Sequence, residues 1–266
     1  MSRRAPLSAL LPLLLITPTV WAQATAPAPA DPGAVAMPSP WSGSSGEFGY
    51  AAASGNSTTD SLNGRVRLRY TDGDWIHSLD ATALRSSSEY TNTNDDGSTT
   101  RERQTTAERY TGSAGSALQL GEHRQLTATG RYEHDDFATY DRLATFGIGY
   151  GTRLIDADRF YVDAQVGPGV RRAHNNKEDR NETGLIGRGL FDMKYSVTDN
   201  TDVIDTLLVE SGEYNTYAQN DFGVQVSMNS HFALKAGWQI RHNSEVSDGD
   251  KKTDTLTTVN LVYTFK

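Results

Sequence analysis

The stretch "LNGRVRLRY", residues 62–70, alternates cationic and apolar side chains without a break. Arginine takes one set of alternate positions, and the positions between carry Val66, Leu68 and Tyr70. Because successive side chains of a β-strand point to opposite faces, the pattern predicts a strand with one charged and one apolar face. The charged face fits a nucleic-acid patch, a sheet surface in water or a water-filled interior, and the rest of the chain decides among them.

The N-terminal segment has the layout of a secretory signal peptide. Two arginines precede an apolar run from Leu7 to about Val20, and small residues follow, with Ala22 and Ala24 as candidate cleavage points. We predict that residues 1–22 are a signal peptide, because the apolar run is too short and too rich in proline for a spanning helix.

Proline marks the next boundary. Eight of the nine prolines lie at or before Pro40, and only Pro168 lies beyond it. Residues 23–40 are therefore predicted to be a flexible Pro/Ala-rich segment. Residues 41–266 are predicted to be one β domain, since proline cannot donate to a β-ladder and is nearly absent there.

The overall composition excludes several classes of function. The chain carries a formal net charge of −8, whereas nucleic-acid-binding domains usually show a clustered basic patch, so we expect no nucleic-acid partner. It contains no cysteine, which rules out disulfides, thiol chemistry and thiolate metal sites. The arginines of residues 62–70 are thus a local feature of an acidic protein.

Period-two alternation recurs in twelve segments after Trp41, most of them about 9–12 residues long, which is the length of a tilted bilayer crossing. The connections between them alternate between short and long. The short ones are 71–74, 120–123, 155–158, 197–200 and 229–231, and the longer polar ones are Ser86–Thr105, His134–Asp141, Arg172–Glu182, Glu213–Ala218 and Asn243–Lys252. Short turns on one rim and longer loops on the other are typical of outer-membrane barrels. We therefore predict an all-β fold, a transmembrane antiparallel up-and-down β-barrel of about 12 strands, in the outer membrane of a Gram-negative bacterium.

Aromatic residues cluster near the predicted short-turn rim, where amphipathic rings form a girdle at a membrane–water interface. They are Tyr70, Trp75, Tyr150, Phe160, Tyr195, Phe232 and Phe265. Aromatics are common at strand ends in any β protein, but seven of them on one rim favour the girdle.

The β domain resembles a known family. The opening "WSGSSGEFGYAAASGNSTTDSL" (41–62), the glycine-rich "FGIGYGTRL" (146–154) and "QVGPGV" (165–170), and the closing "VNLVYTFK" (259–266) are similar to the domain-of-unknown-function 481 family, described as salt-induced outer-membrane proteins. The resemblance covers residues 41–266. It implies an outer-membrane β-barrel of Gram-negative bacteria with no assigned activity.

The glycine-rich "GIGYG" (147–151) superficially looks like a nucleotide-binding loop or an ion filter. It lies within an alternating strand and no helix follows it, so a phosphate cradle is not expected. We interpret these glycines as positions that let the strand bend or make room in the interior.

The cluster "EHDD" (133–136), with Asp141 nearby, is the strongest catalytic candidate, because outer-membrane proteases place acidic groups and histidine at the loop rim. Proton transfer needs matched partners that face one cleft, and the sequence shows no second His–Asp pair. We prefer a solvated polar loop and predict no enzymatic activity. An outer-membrane enzyme of protease or lipase type, acting at this rim, is the alternative.

Metal and cofactor sites are not predicted. The six histidines show no close ligand spacing. Acidic loop residues could bind divalent cations or bridge them to lipopolysaccharide, but they lack the ordered pattern of a calcium loop.

The barrel interior is the candidate site. A charged side chain on the lipid face costs about 2–4 kcal/mol near the midplane, so the charged face of each strand is predicted to point inward. The predicted lumen-lining residues are Arg65, Arg67, Arg69, Arg131, Asp163, Arg188, Lys235 and Arg241, with Asp192, Glu133 and Asp221 as further acidic partners. Two interpretations stay open: a basic wall that lines a narrow pore and favours anions, or a plug of arginines and acids paired across the interior.

The sequence thus favours a small channel or an envelope-structural protein, linked to salt or osmotic conditions as the family description implies. The expected partners are outer-membrane lipid, lipopolysaccharide and the barrel assembly machinery. A surface adhesin or receptor that uses the loops 86–105 and 243–252 is a third hypothesis.

Overall fold

The computed structural model describes residues 39–53, 58–93, 98–176, 178–246, 249 and 251–265. The predicted signal peptide (1–22) lies outside the described residues, as do all but the last two residues of the predicted flexible segment (23–40). No helix of membrane-spanning length and hydropathy occurs in the described part of the chain.

The described residues form twelve strands. They are β1 (Ser45–Ala53), β2 (Thr58–Asp72), β3 (Trp75–Thr93), β4 (Thr99–Gln119), β5 (Arg124–Asp135), β6 (Tyr140–Ala157), β7 (Phe160–Asn175), β8 (Arg180–Ser196), β9 (Thr201–Gly212), β10 (Thr216–Ser227), β11 (Phe232–Asn243) and β12 (Thr253–Thr264).

The twelve strands close into a barrel. Each strand pairs antiparallel with its sequence neighbours, and β1 pairs with β12 to complete the ring, with Ser45 opposite Thr264. The closing pair covers Ser45–Gly49 of β1 and Asn260–Thr264 of β12, so each of the twelve strands has a hydrogen-bonded neighbour on both sides. The predicted all-β, antiparallel, twelve-stranded up-and-down barrel is confirmed.

Alternation sets the two faces of the wall, as β12 illustrates. Val259, Leu261 and Tyr263 are exposed on the outer face, whereas Asn260 and Val262 between them are buried. A barrel with exposed large apolar side chains outside and polar ones inside reverses the pattern of a water-soluble barrel. The outer face is therefore built to contact an apolar surrounding.

One rim, called here the short-turn end, carries tight connections and aromatic rings. Gly73, in the turn between β2 and β3, has a φ of 58°, in the left-handed region that favours glycine. Trp41 packs on Tyr70 with ring centroids 4.9 Å apart, and Phe160 packs on Tyr195 at 6.0 Å. Six of the seven aromatics predicted for this rim lie within two residues of a strand end there, whereas Tyr150 lies seven residues before the end of β6.

The opposite rim, the long-loop end, differs from prediction between β3 and β4. The segment Ser86–Thr105 was predicted to be a polar loop, but β3 continues to Thr93 and β4 begins at Thr99. A register shift at Ser86/Ser87 marks where this extension begins. Beyond the apolar band both faces of the hairpin are polar, so hydrophobic alternation disappears although the backbone pairing continues. The connection predicted at Arg172–Glu182 is likewise shortened, because β7 extends to Asn175 and β8 begins at Arg180.

The "GIGYG" segment lies inside β6, as its alternation predicts, and its glycines face neighbouring side chains of the interior. A Cβ on Gly149 would come within 2.6 Å of the Gln165 side-chain nitrogen, and one on Gly147 within 3.5 Å of Arg188 Cδ. These glycines thus make room for inner-face side chains of β7 and β8.

Gly167 on β7 gives a first testable prediction. A Cβ there would lie 2.6 Å from the Cα of Gly149 on the neighbouring strand, and backbone cannot swing aside as a side chain can. We expect Gly167→Ala to lower the free energy of unfolding by about 1–3 kcal/mol. The measurement is the urea midpoint of the refolded barrel. Gly130→Ala, with nothing within 4 Å of the added atom, is the matched control and should stay within about 0.5 kcal/mol of the wild type.

Candidate functional site

The register of the strands places the eight predicted lining positions on the inner face of the barrel. They are Arg65, Arg67, Arg69, Arg131, Asp163, Arg188, Lys235 and Arg241. Their ion pairs divide the interior into two levels, which differ in whether the partners lie on neighbouring or on opposite strands.

At the level nearer the short-turn end, charged groups pair along the wall. On β2, Arg65 and Arg67 both bind Asp80 of the adjacent β3, at 2.8 and 3.2 Å. Lys235 of β11 donates to Glu47 of β1 at 3.0 Å, reaching across β12. Side chains here keep contact with the interior space, and Arg67 is 46% exposed. This level is a charged vestibule rather than a packed core.

Further wall pairs complete the vestibule. Arg153 binds Asp163 of the neighbouring strand at 2.8 Å, and Lys194 binds Asp202 at 3.0 Å. Asp192 accepts a hydrogen bond from Thr206 at 2.7 Å. Arg69 lies against the N-terminal residues at the short-turn end, where its backbone N–H donates to Ser44 Oγ at 2.9 Å.

At the level nearer the long-loop end, called here the upper level, the ion pairs cross the interior of the barrel. Arg241 of β11 binds both Glu133 and Asp135 of β5, the second at 2.9 Å. In a ring of twelve strands β5 and β11 are separated by five strands on either side, so this guanidinium spans the lumen. We call the residues at this level the lumen bridge: Arg109, Arg131, Glu133, Asp135, Arg188, Glu210, Tyr217 and Arg241.

Tyr217 lies at the centre of the lumen bridge. Its hydroxyl accepts a hydrogen bond from Arg241 Nε at 3.1 Å, and the guanidinium of Arg131 lies 4.8 Å from its ring centroid. Arg131 also binds Glu133 at 3.0 Å, so one carboxylate joins two arginines. Stacking of arginines on an aromatic face and pairing with carboxylates fix both the position and the charge of the bridge.

A second arm of the lumen bridge runs to β8 and β9. Glu210 of β9 has no exposed surface, and its carboxylate lies 3.6 Å from Arg188 and 3.9 Å from Arg131. Thr145 Oγ1 donates to Glu210 at 3.4 Å. Arg109 of β4 also reaches across the interior, where it donates a hydrogen bond to Gln239 of β11 at 2.8 Å.

The depth of the lumen bridge follows from strand geometry. Arg241 is nine residues from the start of β11, and Glu133 is nine residues from the start of β5. At about 3.3 Å per residue and a tilt of about 40°, both lie about 23 Å from the short-turn end. Their side chains are 6% and 7% exposed. The interior is therefore narrowed by a buried polar layer in its upper half, the half nearer the long-loop end.

The bridge contains buried polar atoms that have no hydrogen-bond partner among the described residues. They are Arg131 Nη1 and Glu210 Oε2, which face each other at 3.9 Å. A buried pair at this separation is the position at which a bridging water would complete the hydrogen bonds. The bridge therefore combines the short ion pairs of Arg241 with one longer, incompletely hydrogen-bonded pair, Arg131 and Glu210.

Sequence reasoning named some of these groups as inward-facing and missed others. It named Arg131, Arg241 and Glu133, which the structure brings together. It proposed Asp163 and Asp192 as partners across the interior, but Asp163 binds the neighbouring-strand Arg153. It missed Glu210, Tyr217, Asp135 and Arg109 as residues of the interior. Tyr217 shares alternate positions of β10 with Gln219 and Asp221, and this pattern could have placed it inside the barrel. Both faces of β9 are partly apolar, so its pattern did not show which face carries Glu210.

The candidate catalytic cluster "EHDD" does not share one cleft. Glu133 and Asp135 point into the interior, whereas His134 points outward and lies 2.8 Å from the half-exposed Asp136. Asp141, the acidic residue near this cluster, instead hydrogen-bonds His174 on the long-loop rim, with 2.6 Å between Oδ1 and Nδ1. No group of three or more metal-ligating side chains occurs in the residues that the structure describes.

Comparison with known proteins supports the fold. A family model described as "Protein of unknown function, DUF481" matches residues 46–265. The uncharacterized protein YdiY of Escherichia coli (strain K12) is 25% identical over 216 residues, which is 81% of this chain and 80% of that protein.

Among solved structures, the NanC porin is similar with a TM-score of 0.51 at 9% identity, over 84% of this chain and 99% of that chain. The translocator domain of autotransporter NalP from Neisseria meningitidis gives 0.46 at 12% identity, over 84% and 87% of the two chains. The KdgM porin gives 0.45 at 10% identity, over 84% and 99%.

Proposed function

Because this chain belongs to the DUF481 family, whose function is unknown, its role has to be inferred from the barrel itself. We propose that it is a small, non-enzymatic channel in the outer membrane of a Gram-negative bacterium, with the lumen bridge as its constriction. The outer face supports the location, because exposed large apolar side chains cover the wall and aromatic rings gather at the short-turn end.

The contact of Arg241 with Glu133 and Asp135 of the opposite strand carries the proposal. It narrows a lumen that below it is wide enough for ion pairs to stay on the wall. A constriction lined by charged side chains, with a wider charged vestibule beneath, is how small barrels restrict and select solutes. A barrel with a purely structural role would not need a vestibule in which the ion pairs stay on the wall.

The vestibule also gives the channel a preference for anions. Arg65 and Arg67 share the single carboxylate of Asp80, so Arg67 is a half-exposed cation that has only part of one carboxylate as its partner. Arg67 is the more exposed of the two and meets solutes that enter from the short-turn end. In a narrow water-filled lumen such a charge raises the local concentration of anions.

The remaining parts of the proposal follow from the same geometry. The absence of catalysis is proposed because His134 and Glu133 lie on opposite faces of the wall and share no cleft. Outer-membrane lipid, lipopolysaccharide and the barrel assembly machinery are the proposed partners. A link to salt or osmotic conditions is proposed because ion pairs that border water weaken as ionic strength rises.

Planar-bilayer recording tests the channel. We expect wild-type protein to show small, anion-preferring conductance steps. A triple variant, Arg241→Gln with Glu133→Gln and Asp135→Asn, removes the three charges of the contact between β5 and β11 at nearly constant volume. Because the attraction across the lumen is lost, its steps should be larger than those of the wild type.

The matched control is Arg159→Gln with Asp199→Asn, an exposed pair at 2.6 Å on the short turns, outside the lumen. Its conductance should equal that of the wild type. Folded wild-type and triple-variant barrels that both fail to conduct would refute the channel.

A purely structural role is the second candidate, and the complete burial of Glu210 favours it. A carboxylate with no exposed surface belongs to a packed plug more than to a pore wall. The same recordings separate the two roles, since a plug that only stabilises the barrel predicts no steps in either protein.

A further inference from the structure

One polar pair lies on the wrong face of the barrel wall. On β9 the inner face carries Glu210 and Leu208, so Asp205 points outward together with Leu207. On β10 the inner face carries Tyr217, and Asn220 points outward. The Asn220 side-chain nitrogen donates to Asp205 Oδ1 at 2.7 Å, which joins the two strands on the outside.

This pair lies within the apolar band rather than at its edge. Asp205 is four residues from the start of β9, and Asn220 is seven residues from the end of β10. Strand rise and tilt place them about 10 and 18 Å from the short-turn end, in a band about 25 Å tall. Elsewhere in the middle of the wall, the outer-face positions of the described strands carry no acidic or basic side chain.

The pair is incompletely satisfied as it stands. Within the described part of the chain, no group donates to Asp205 Oδ2. The second N–H of Asn220 has only a 3.5 Å contact with the Thr206 carbonyl. Hydrocarbon offers no hydrogen bonds, so an acceptor and a donor left over at this depth are unfavourable unless another protein surface covers them.

We propose that this face binds a second copy of the chain, in a two-fold contact centred on Asp205 and Asn220. The proposal rests on the proposed membrane location. A two-fold axis brings the same patch against itself, so Asp205 of one copy faces Asn220 of the other, and the reverse. Each unused N–H then meets an unused carboxylate oxygen, and neither carboxylate faces the other.

The surroundings of the pair fit this occupant. Leu207, Phe222 and Trp238 are exposed on the same face and form an apolar border around it. In the two-fold contact the polar pair is fully hydrogen-bonded and an apolar, aromatic border surrounds it, which is the usual composition of the centre of a protein–protein interface. The strands β9 to β12 have twelve residues each, whereas β3 and β4 have 19 and 21 and project past the rim. The β9–β12 wall is therefore flush, and two barrels can approach side by side there.

The natural chain contains no cysteine, so a single cysteine reports one contact. Leu207→Cys places it on the outer face directly opposite Asn220 in the β9–β10 pairing. The full chain is expressed, its membranes are oxidised with copper phenanthroline, and non-reducing gels show the products. We expect a covalent dimer of this chain.

Ala81→Cys is the matched control. It is exposed on the outer face of β3, six residues from the start of its strand, as Leu207 is on β9, but on the opposite wall of the barrel. It should give no dimer. Leu207→Cys combined with Asp205→Leu and Asn220→Leu keeps an apolar outer face and should lose most of the dimer.

The outcomes separate this inference from the membrane location. Both cysteines should resist a water-soluble thiol reagent and react with a lipid-soluble one. Protected cysteines without a Leu207→Cys dimer, or with a cross-link to a different protein, overturn the two-fold contact alone. Cysteines open to the water-soluble reagent in the folded barrel overturn the membrane location as well.

Discussion

Replacing Arg241 with methionine is expected to lower the free energy of unfolding of the barrel by about 3–5 kcal/mol. The guanidinium neutralises Glu133 and Asp135 at once, and all three groups are almost fully buried. Removing the cation leaves Glu133 with Arg131 alone, at 3.0 Å, and Asp135 with the more distant Arg109, at 3.7 Å, so both buried carboxylates lose their shared counter-charge. Methionine fills much of the same volume, so the loss reports the charge rather than a cavity. Urea unfolding of the barrel refolded in lipid vesicles, followed by tryptophan fluorescence, measures it.

Arg67→Met is the control for this prediction. Arg67 also binds a carboxylate, that of Asp80 on the adjacent strand, at 3.2 Å, but its side chain is 46% exposed. A pair in that setting contributes about 0–1 kcal/mol, so the control should change little. If the two variants lost the same free energy of unfolding, that result would contradict the division of the interior into a buried upper layer and a more exposed vestibule.

A compensated variant makes the cause explicit. Adding Glu133→Gln and Asp135→Asn to Arg241→Met removes the two carboxylates that lost their partner, while Arg131 keeps Glu210 at 3.9 Å and Arg109 keeps Gln239 at 2.8 Å. We expect part of the lost stability to return, because replacing both partners of a buried ion pair is often neutral. Persistent instability of the compensated protein would show that Arg241 acts through packing on Tyr217, whose ring centroid lies 5.5 Å from its guanidinium.

The sequence predicts this barrel wherever its wall separates two different environments. In β5 the inner positions alternate with Leu126, Ala128 and Tyr132, and the same rule orients Arg131 and Glu133 correctly. The β3–β4 extension is missed because both of its faces are polar, so the pattern that marks a strand vanishes while its backbone pairing persists.

Pairing within the lumen is predictable only in part, because alternation gives a face but not a height or a partner. Arg241 and Glu133 are 108 residues apart in sequence and meet because β5 and β11 lie opposite each other at the same depth. That coincidence depends on strand lengths and on register around the whole ring. Asp205 shows the converse, since a rule that turns every charge inward assigns it to the wrong face.

The membrane setting has its own decisive prediction, which compares two neighbouring positions on β12. Val259 is on the outer face and 59% exposed, and Thr258 is next to it on the inner face. Val259 is five residues from the end of the strand, about 13 Å from the short-turn end and so near the middle of an apolar band about 25 Å tall. We expect Val259→Arg to cost about 2–4 kcal/mol of folding free energy in lipid vesicles.

Thr258→Arg adds the same side chain to the same strand at the same depth, but it turns the charge toward the vestibule. Because water and the carboxylates of the inner wall surround it there, we expect its cost to stay below about 1 kcal/mol. Urea titration in vesicles measures both variants against the wild type. If the two arginines cost the same, the outer face of this barrel does not meet hydrocarbon, and the exposed valine, leucine and tyrosine of β12 need a different partner.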